Sequence, residues 1–381
     1  MKLRDADYTK WSFLLLFSVA LCHFIQKPFR DDVVTQIGLN NLNLLMSGSF
    51  VASIALAYIF YRFINIKSLL TIVLICNSLF LLYQFSIQVH SRNASIIYFI
   101  FTSAGNLSII SMASGKIMES IPQNINPNKL TSIYTAPTLA AIIGPLFCLL
   151  VTKPFNQYVL LLASVISLIG VVLSVLLEKS SNTIKVKQEH WQLGGRKIMP
   201  QLIVYTFLYT VVCTFFYYLL LSGIADSFRG EYRMKAFALA ELASNLLGIT
   251  TAWMVQGFTG RTKTWILLPV ISLVILSFLG TSQIASLSIA FIILFRIFKN
   301  GIRTQARDLA LLQVAPTAFI PLKNMVDTVV YRSGDMAGGW FLHWLDGSQQ
   351  TIVLVCIPVV LLWLYIGSRL QINQTTNLEN I

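Results

Sequence analysis

Lys323-Asn-Met-Val-Asp-Thr-Val-Val-Tyr-Arg-Ser-Gly-Asp-Met-Ala-Gly-Gly-Trp340 lies in a hydrophobic segment that continues to about Leu345. That is long enough for one membrane crossing at ~20 residues. It nevertheless carries Asp327, Arg332 and Asp335, together with Gly334, Gly338 and Gly339. A charge near the bilayer centre costs ~2.5–3.5 kcal/mol on insertion scales, so such residues face a cavity or a partner. On a regular helix Asp327, Tyr331 and Asp335 follow i, i+4, i+8 along one face, with Arg332 three residues before Asp335. The glycines allow another helix close against the remaining surface. This pattern suits a helix lining a transport path. It also suits an internal Arg–Asp pair that only locks helices together.

Working outward, the whole chain is apolar: 56% hydrophobic, 11% charged, with mean hydropathy +0.71. That excludes an ordinary soluble globular protein. The net charge of +13 is spread through short inter-span loops rather than gathered in a domain. It reads as the positive-inside bias of a membrane protein, not as a nucleic-acid surface. Cys22, Cys76, Cys148, Cys213 and Cys356 fall in apolar segments with no metal-ligand spacing, so neither a disulfide framework nor a metal site is expected. The first apolar segment follows Lys10 without an evident small-residue cleavage site, and is read as a retained span.

Twelve segments are expected to span: 11–27, 43–63, 69–88, 95–118, 130–152, 157–177, 199–222, 234–258, 264–283, 285–302, 323–345 and 351–370. The polar, basic stretch 178–198 separates an N-terminal half, 1–177, from a C-terminal half, 199–381. Lys and Arg crowd alternate loops, from Lys2, Arg4 and Lys10 through Arg62 and Lys67 to Arg261 and Lys263. Both termini are therefore expected to be cytoplasmic, in a chain placed in the inner (cytoplasmic) membrane. Lys27/Arg30 and Arg229/Arg233/Lys235 depart from this bias at corresponding places in the two halves. Thr131-Ser-Ile-Tyr134, opening the fifth span, echoes Thr328-Val-Val-Tyr331 in the eleventh, and both are followed by small residues. Two repeated six-span halves are the plan of the major facilitator architecture, an all-α polytopic membrane fold.

Motifs for other chemistry are missing from the sequence. There is no phosphate-cradling G-x-x-x-x-G-K-[ST], no H-E-x-x-H and no G-x-S-x-G, so neither an enzyme nor a cofactor is expected. What remains is intramembrane charge. Lys27-Pro28-Phe29-Arg30-Asp31-Asp32 ends the first span, where the proline is expected to break the helix and free backbone groups. Arg296 sits in an apolar run of the tenth span and calls for a carboxylate from another helix, Asp327 or Asp335, or for an anionic ligand. Glu241 in the eighth span either carries a proton or hydrogen-bonds within the bundle. Lys116 and Glu119 end the fourth span and are expected to pair.

At these residues the chain resembles a family. Asp327-Thr-Val-Val-Tyr-Arg-Ser-Gly-Asp335 is similar to the D-T-V-V-Y-R-G-G-D motif of bacterial NTP/NDP exchange transporters, an ADP/ATP-translocase-like branch of the major facilitator superfamily. Lys27-Pro-Phe-Arg30-Asp31 resembles that branch's R-P-x-R-D, and Arg307-Asp308 resembles its R-E. Arg233-Met-Lys-Ala-Phe237-Ala238 looks like part of its eighth span. The sequence departs from the branch at Ser333, at Lys27, at Thr304-Gln305 and at Asn128-Lys129, so several cations suited to a polyphosphate are absent.

The resemblance implies a secondary transporter working by alternating access as an antiporter, with transport of nucleotides or phosphorylated metabolites. Lys27, Arg30, Arg296 and Arg332 would bind a small anionic solute, while Asp31, Glu241, Asp327 and Asp335 compensate charge or couple protons. Gly334, Gly338 and Gly339 would pack helices in a protein expected to be monomeric. Two other readings stand beside it. One is a proton-coupled carrier of a carboxylate, siderophore or drug. The other is a non-transporting membrane receptor or assembly factor.

Overall fold

A computed structural model describes the backbone of residues 2–63, 68–87, 91–119, 132–150, 158–180, 198–258, 264–281, 285–314, 322, 325–345 and 349–379. These residues form twelve α-helices and no strand. They are α1 (Lys2–Ile37), α2 (Leu42–Phe63), α3 (Leu69–Ser86), α4 (Arg92–Glu119), α5 (Ala136–Leu150), α6 (Tyr158–Ser180), α7 (Ile198–Ser227), α8 (Glu231–Phe258), α9 (Thr264–Thr281), α10 (Ala285–Val314), α11 (Tyr331–Trp344) and α12 (Gln349–Glu379). Among the described residues, eight helical stretches are long and apolar enough on their own to cross a membrane. The others fall short for visible reasons: α8 and α10 carry several charges, and α9 and α11 are short. Most of the expected 178–198 linker, and Lys323 before the eleventh helix, lie outside the described residues.

The chain divides into two compact units. Unit 1 holds Met1–Ile37, Val51–Glu189 and Gly230–Leu242; unit 2 holds Gly38–Phe50, His190–Arg229 and Ala243–Ile381. Each short segment, 38–50 and 230–242, opens on a glycine with positive φ, +101° at Gly38 and +61° at Gly230. An L side chain pays ~1–2 kcal/mol for left-handed backbone, so glycine suits both corners.

In unit 1, α1 packs on α4, α5 and α6, while α3 packs on α6 and α4. Buried Leu15, Leu16, Ile25, Val33 and Ile117 belong to its apolar core. The α3–α6 contact is stitched by small polar side chains. Ser78 and Ser164 hydroxyls lie 2.7 Å apart, Ser167 donates to the Leu74 carbonyl, and Thr71 meets Ser174 at 3.0 Å. Small hydroxyl residues let apolar helices approach and hydrogen-bond where lipid offers no partner.

The structure corrects the expected break at Pro28. Helix α1 continues through it to Ile37, so 27–32 form helix rather than a loop. Proline removes one N–H, and a packed neighbour makes that tolerable. Here the neighbour is α5: a Cβ at Gly144 would stand 2.7 Å from Phe24 Cβ and 2.8 Å from the Phe24 carbonyl carbon. Cys148 on the same helix donates its S–H to the Ile25 carbonyl at 3.1 Å.

Unit 2 repeats this scheme six helices later. Helix α7 packs on α10, α11 and α12, and α9 packs on α12 and α10. The glycine at the α5–α1 contact has its counterpart at the α11–α7 contact, where a Cβ on Gly334 would stand 2.7 Å from the Phe207 carbonyl oxygen and from Thr210 Cβ. Buried aromatics fill the rest: Phe216 stacks on Phe295 at 4.0 Å, and Tyr205 packs between Trp265 and Trp363.

Candidate functional site

Two groups of charged side chains stand out among the described residues, one in each unit. In unit 1, α1 presents Lys27, Arg30, Asp31 and Asp32 within two turns of a helix that is otherwise mostly buried. The 230–242 segment of α8 supplies Arg233 and Glu241. Lys27 Nζ donates to Glu241 Oε1 at 2.6 Å, and Arg233 Nε donates to Asp32 Oδ1 at 2.5 Å. Arg30 folds back on its neighbour, with Nε and Nη2 both donating to Asp31 Oδ1 at 3.1 and 2.7 Å. Its Nη1 reaches Ser103 Oγ at 3.5 Å, and its guanidinium lies over the Phe99 ring. Three cations thus meet three carboxylates. Glu241 and Asp31 side chains are each only 4% exposed, so these charges are held largely out of solvent.

In unit 2 one ion pair lies within a single helix. Arg332 Nη1 donates to Asp335 Oδ2 at 2.8 Å, three residues along α11. Asp335 Oδ1 accepts from the Thr214 hydroxyl of α7 at 2.9 Å. Both carboxylate oxygens are therefore occupied. Of the two carboxylates expected for Arg296, Asp335 is thus taken up by Arg332 and Thr214. Arg296 itself lies half-buried on α10, beside Phe295.

Just before α11 the chain is wound as a π-helix over Val326–Val330, so that the Tyr331 N–H reaches back to the Val326 carbonyl. Asp327 lies half-buried in this wide turn. The expected uniform i, i+4, i+8 face from Asp327 to Asp335 is thereby interrupted, because a π-turn holds more residues than an α-turn. The three glycines face other helices. Gly334 and Gly338 meet α7 at Thr210 and Thr214, and Gly339 meets the 38–50 segment at Asn43 and Met46. Trp340 Nε1 donates to Ser47 Oγ of that segment at 3.0 Å.

The expected partner of Lys116, Glu119, has a side chain outside the described residues. Lys116 pairs with Glu178 and donates to Ser174, both on α6. The side chains of Arg303, Arg307 and Asp308, and of Asn128 and Lys129, lie outside the described residues.

Two contributors were not singled out from the sequence, Gln36 and Thr214, and two were noted without their mutual partner, Asp32 within the Lys27–Asp32 stretch and Arg233. Gln36 Nε2 donates to Asp32 Oδ2 at 2.8 Å, so Asp32 is satisfied on both oxygens. Thr214 had a legible signal, because Thr206, Thr210 and Thr214 recur every four residues along buried α7. Arg233 had the departure from the loop-charge bias and its place in the Arg233–Ala238 resemblance.

No family model matches the chain, and no curated protein matches it in sequence. Solved structures do match in shape. A bacterial homologue of the human lysosomal transporter Spinster, inward-facing and unoccupied, aligns with TM-score 0.67 at 9% identity, covering 98% of each chain. The nucleoside transporter NupG aligns with TM-score 0.68 at 11% identity, covering 96% of this chain and 99% of that one. The human organic anion transporter MFSD10 aligns with TM-score 0.62 at 13% identity, covering 95% and 99%. Together with the two-fold repeated helix packing, these likenesses establish that this polytopic all-α chain has the major facilitator fold.

Proposed function

We propose that the protein is a secondary transporter of a small anionic solute, of the nucleotide or phosphorylated-metabolite class, working by exchange in the bacterial inner membrane. The observation that carries this reading is the set of cation–carboxylate pairs on α1 and the adjoining α8 segment: Lys27–Glu241, Arg30–Asp31 and Arg233–Asp32. Burying such groups costs several kcal/mol per ion before pairing repays it. A purely structural bundle is as well served by apolar side chains of the same volume, so retained charge inside the helices argues for a ligand. Each carboxylate keeps its cation compensated when no solute is bound. At Lys27 a phosphate or carboxylate then replaces one acidic partner by another, so that cation is never left bare.

The likeness to the exchange-transporter branch at Asp327–Asp335 supports the nucleotide class, and the organic anion and nucleoside transporters named above share the fold. The positive-inside bias supports cytoplasmic termini. Reconstituted in liposomes, the protein should exchange internal for external radiolabelled ADP, glucose 6-phosphate or glycerol 3-phosphate, and should leave uridine outside. Uptake of uridine with none of these anions would sink the reading.

A second reading is favoured by one contact. Glu241 lies 2.6 Å from Lys27, and an arriving anion that takes Lys27 would release this carboxylate to accept a proton. That is the chemistry of a proton-coupled carrier. An imposed pH gradient distinguishes the two, since strict exchange of like-charged solutes is not driven by it.

A further inference from the structure

The anion-transport reading leaves open which cation touches the solute, and the donor geometry separates the candidates. Arg30 commits three nitrogens within the protein: Nε and Nη2 to Asp31, and Nη1 to Ser103. Lys27 is drawn to Glu241, and Arg332 to Asp335. Arg233 is built differently. Only its Nε is engaged by a side chain among the described residues, in the 2.5 Å bond to Asp32. Its terminal Nη1 and Nη2 meet no described side chain or carbonyl, and the side chain is 18% exposed. Asp32 is itself fixed from behind, with Gln36 Nε2 on its other oxygen and Thr35 Oγ1 donating to its backbone carbonyl at 2.7 Å.

A guanidinium held through Nε presents its two Nη nitrogens as a planar, two-pronged donor, the geometry that grips a carboxylate or phosphate in two places. The acidic residue needed to keep the arginine charged and oriented is already supplied, so a ligand adds to the pair rather than displacing it. That distinguishes Arg233 from Lys27, where ligand and Glu241 compete for one ammonium.

We propose that Arg233 is a further anion-binding residue, a fork positioned by Asp32 and offered to a carboxylate or phosphate oxyanion; this rests on the anion-transport reading. Glycerol 3-phosphate and succinate serve as the two probes. Purified full-length protein in detergent is treated with phenylglyoxal, which modifies arginines through free terminal nitrogens, and labelling is followed by mass spectrometry. Arg233 should label faster than Arg30 and Arg332, and one or both anions should slow it in a saturable way while glycerol does not. Protection by glycerol 3-phosphate alone assigns a phosphoryl ligand, and by succinate alone a carboxylate.

In liposomes, Arg233→Lys should raise the half-saturating concentration of the protecting anion about tenfold with the maximal rate within about twofold, because charge is kept and the fork is lost. Labelling of Arg233 that neither anion slows overturns the proposal, whatever the vesicles transport. So does an unchanged half-saturating concentration in Arg233→Lys. Protection of Arg233 in a protein that transports neither probe keeps the anion site and sinks the transport reading instead.

Discussion

The segments 38–50 and 230–242 occupy equivalent places in the helix repeat, six helices apart, and each begins at a positive-φ glycine. They are secured by opposite means. Segment 38–50 is held in unit 2 without charge: Asn43 and Met46 lie against Gly339, and Ser47 accepts from Trp340. Segment 230–242 is held in unit 1 by Arg233–Asp32 and Lys27–Glu241. Close packing is indifferent to solutes. An ion pair responds to any anion that reaches it, by losing a partner or by gaining one. The repeat thus supplies one scaffold twice, and substitution has made one copy neutral and the other electrostatic.

The sharpest way to break this contrast is to remove one charge. Glu241→Leu takes away the carboxylate 2.6 Å from Lys27. It should lower stability by about 3 kcal/mol, seen as a fall in the thermal unfolding midpoint in detergent. Adding Lys27→Met to the same protein should recover most of that loss, and a double variant as unstable as the single would show that the pair is not the reason.

Gly334→Ala follows at about 1–3 kcal/mol, since its Cβ would stand 2.7 Å from the Phe207 carbonyl oxygen and from Thr210 Cβ. Gly105→Ala is its control, with nothing within 4 Å of the new methyl, and should be neutral or slightly stabilising. Thr214→Val keeps the shape and deletes the bond to Asp335, costing about 1 kcal/mol in the same assay. Smallest of all is Ser47→Ala, where Trp340 loses one half-buried acceptor; a shift of about 0.5–1 kcal/mol is expected, and a larger one would mean that polar contacts hold the neutral segment too.

Much of the fold was legible because hydropathy alone marks spans, and the twelve expected segments each coincide with a helix apart from their ends. The Arg332–Asp335 pair was legible as well, being three residues apart on one helix. What resisted was everything that depends on which helices meet. Lys27 and Glu241 are 214 positions apart, and Arg233 and Asp32 are 201 apart, so no local pattern links them. Packing also brings Glu178 to Lys116 from 62 positions away, a partner that no local spacing announces. Pro28 was read as a helix breaker from its own chemistry, and the support from Gly144 and α5 is invisible in residues 27–32. The π-turn at Val326–Val330 has the same hydropathy as an α-turn and leaves no mark in composition.

That wide turn also settles how the eleventh helix must be counted against other chains. It holds one residue more than an α-turn of the same rise, so numbering carried across it from an unbroken helix is displaced by one on one side. Any alignment with a protein lacking the turn needs a single-residue gap between Val326 and Val330. By the same reasoning, loss of one residue there is the mildest deletion this helix can sustain. The winding tightens, and Tyr331–Trp344 keeps Gly334 and Gly338 against α7.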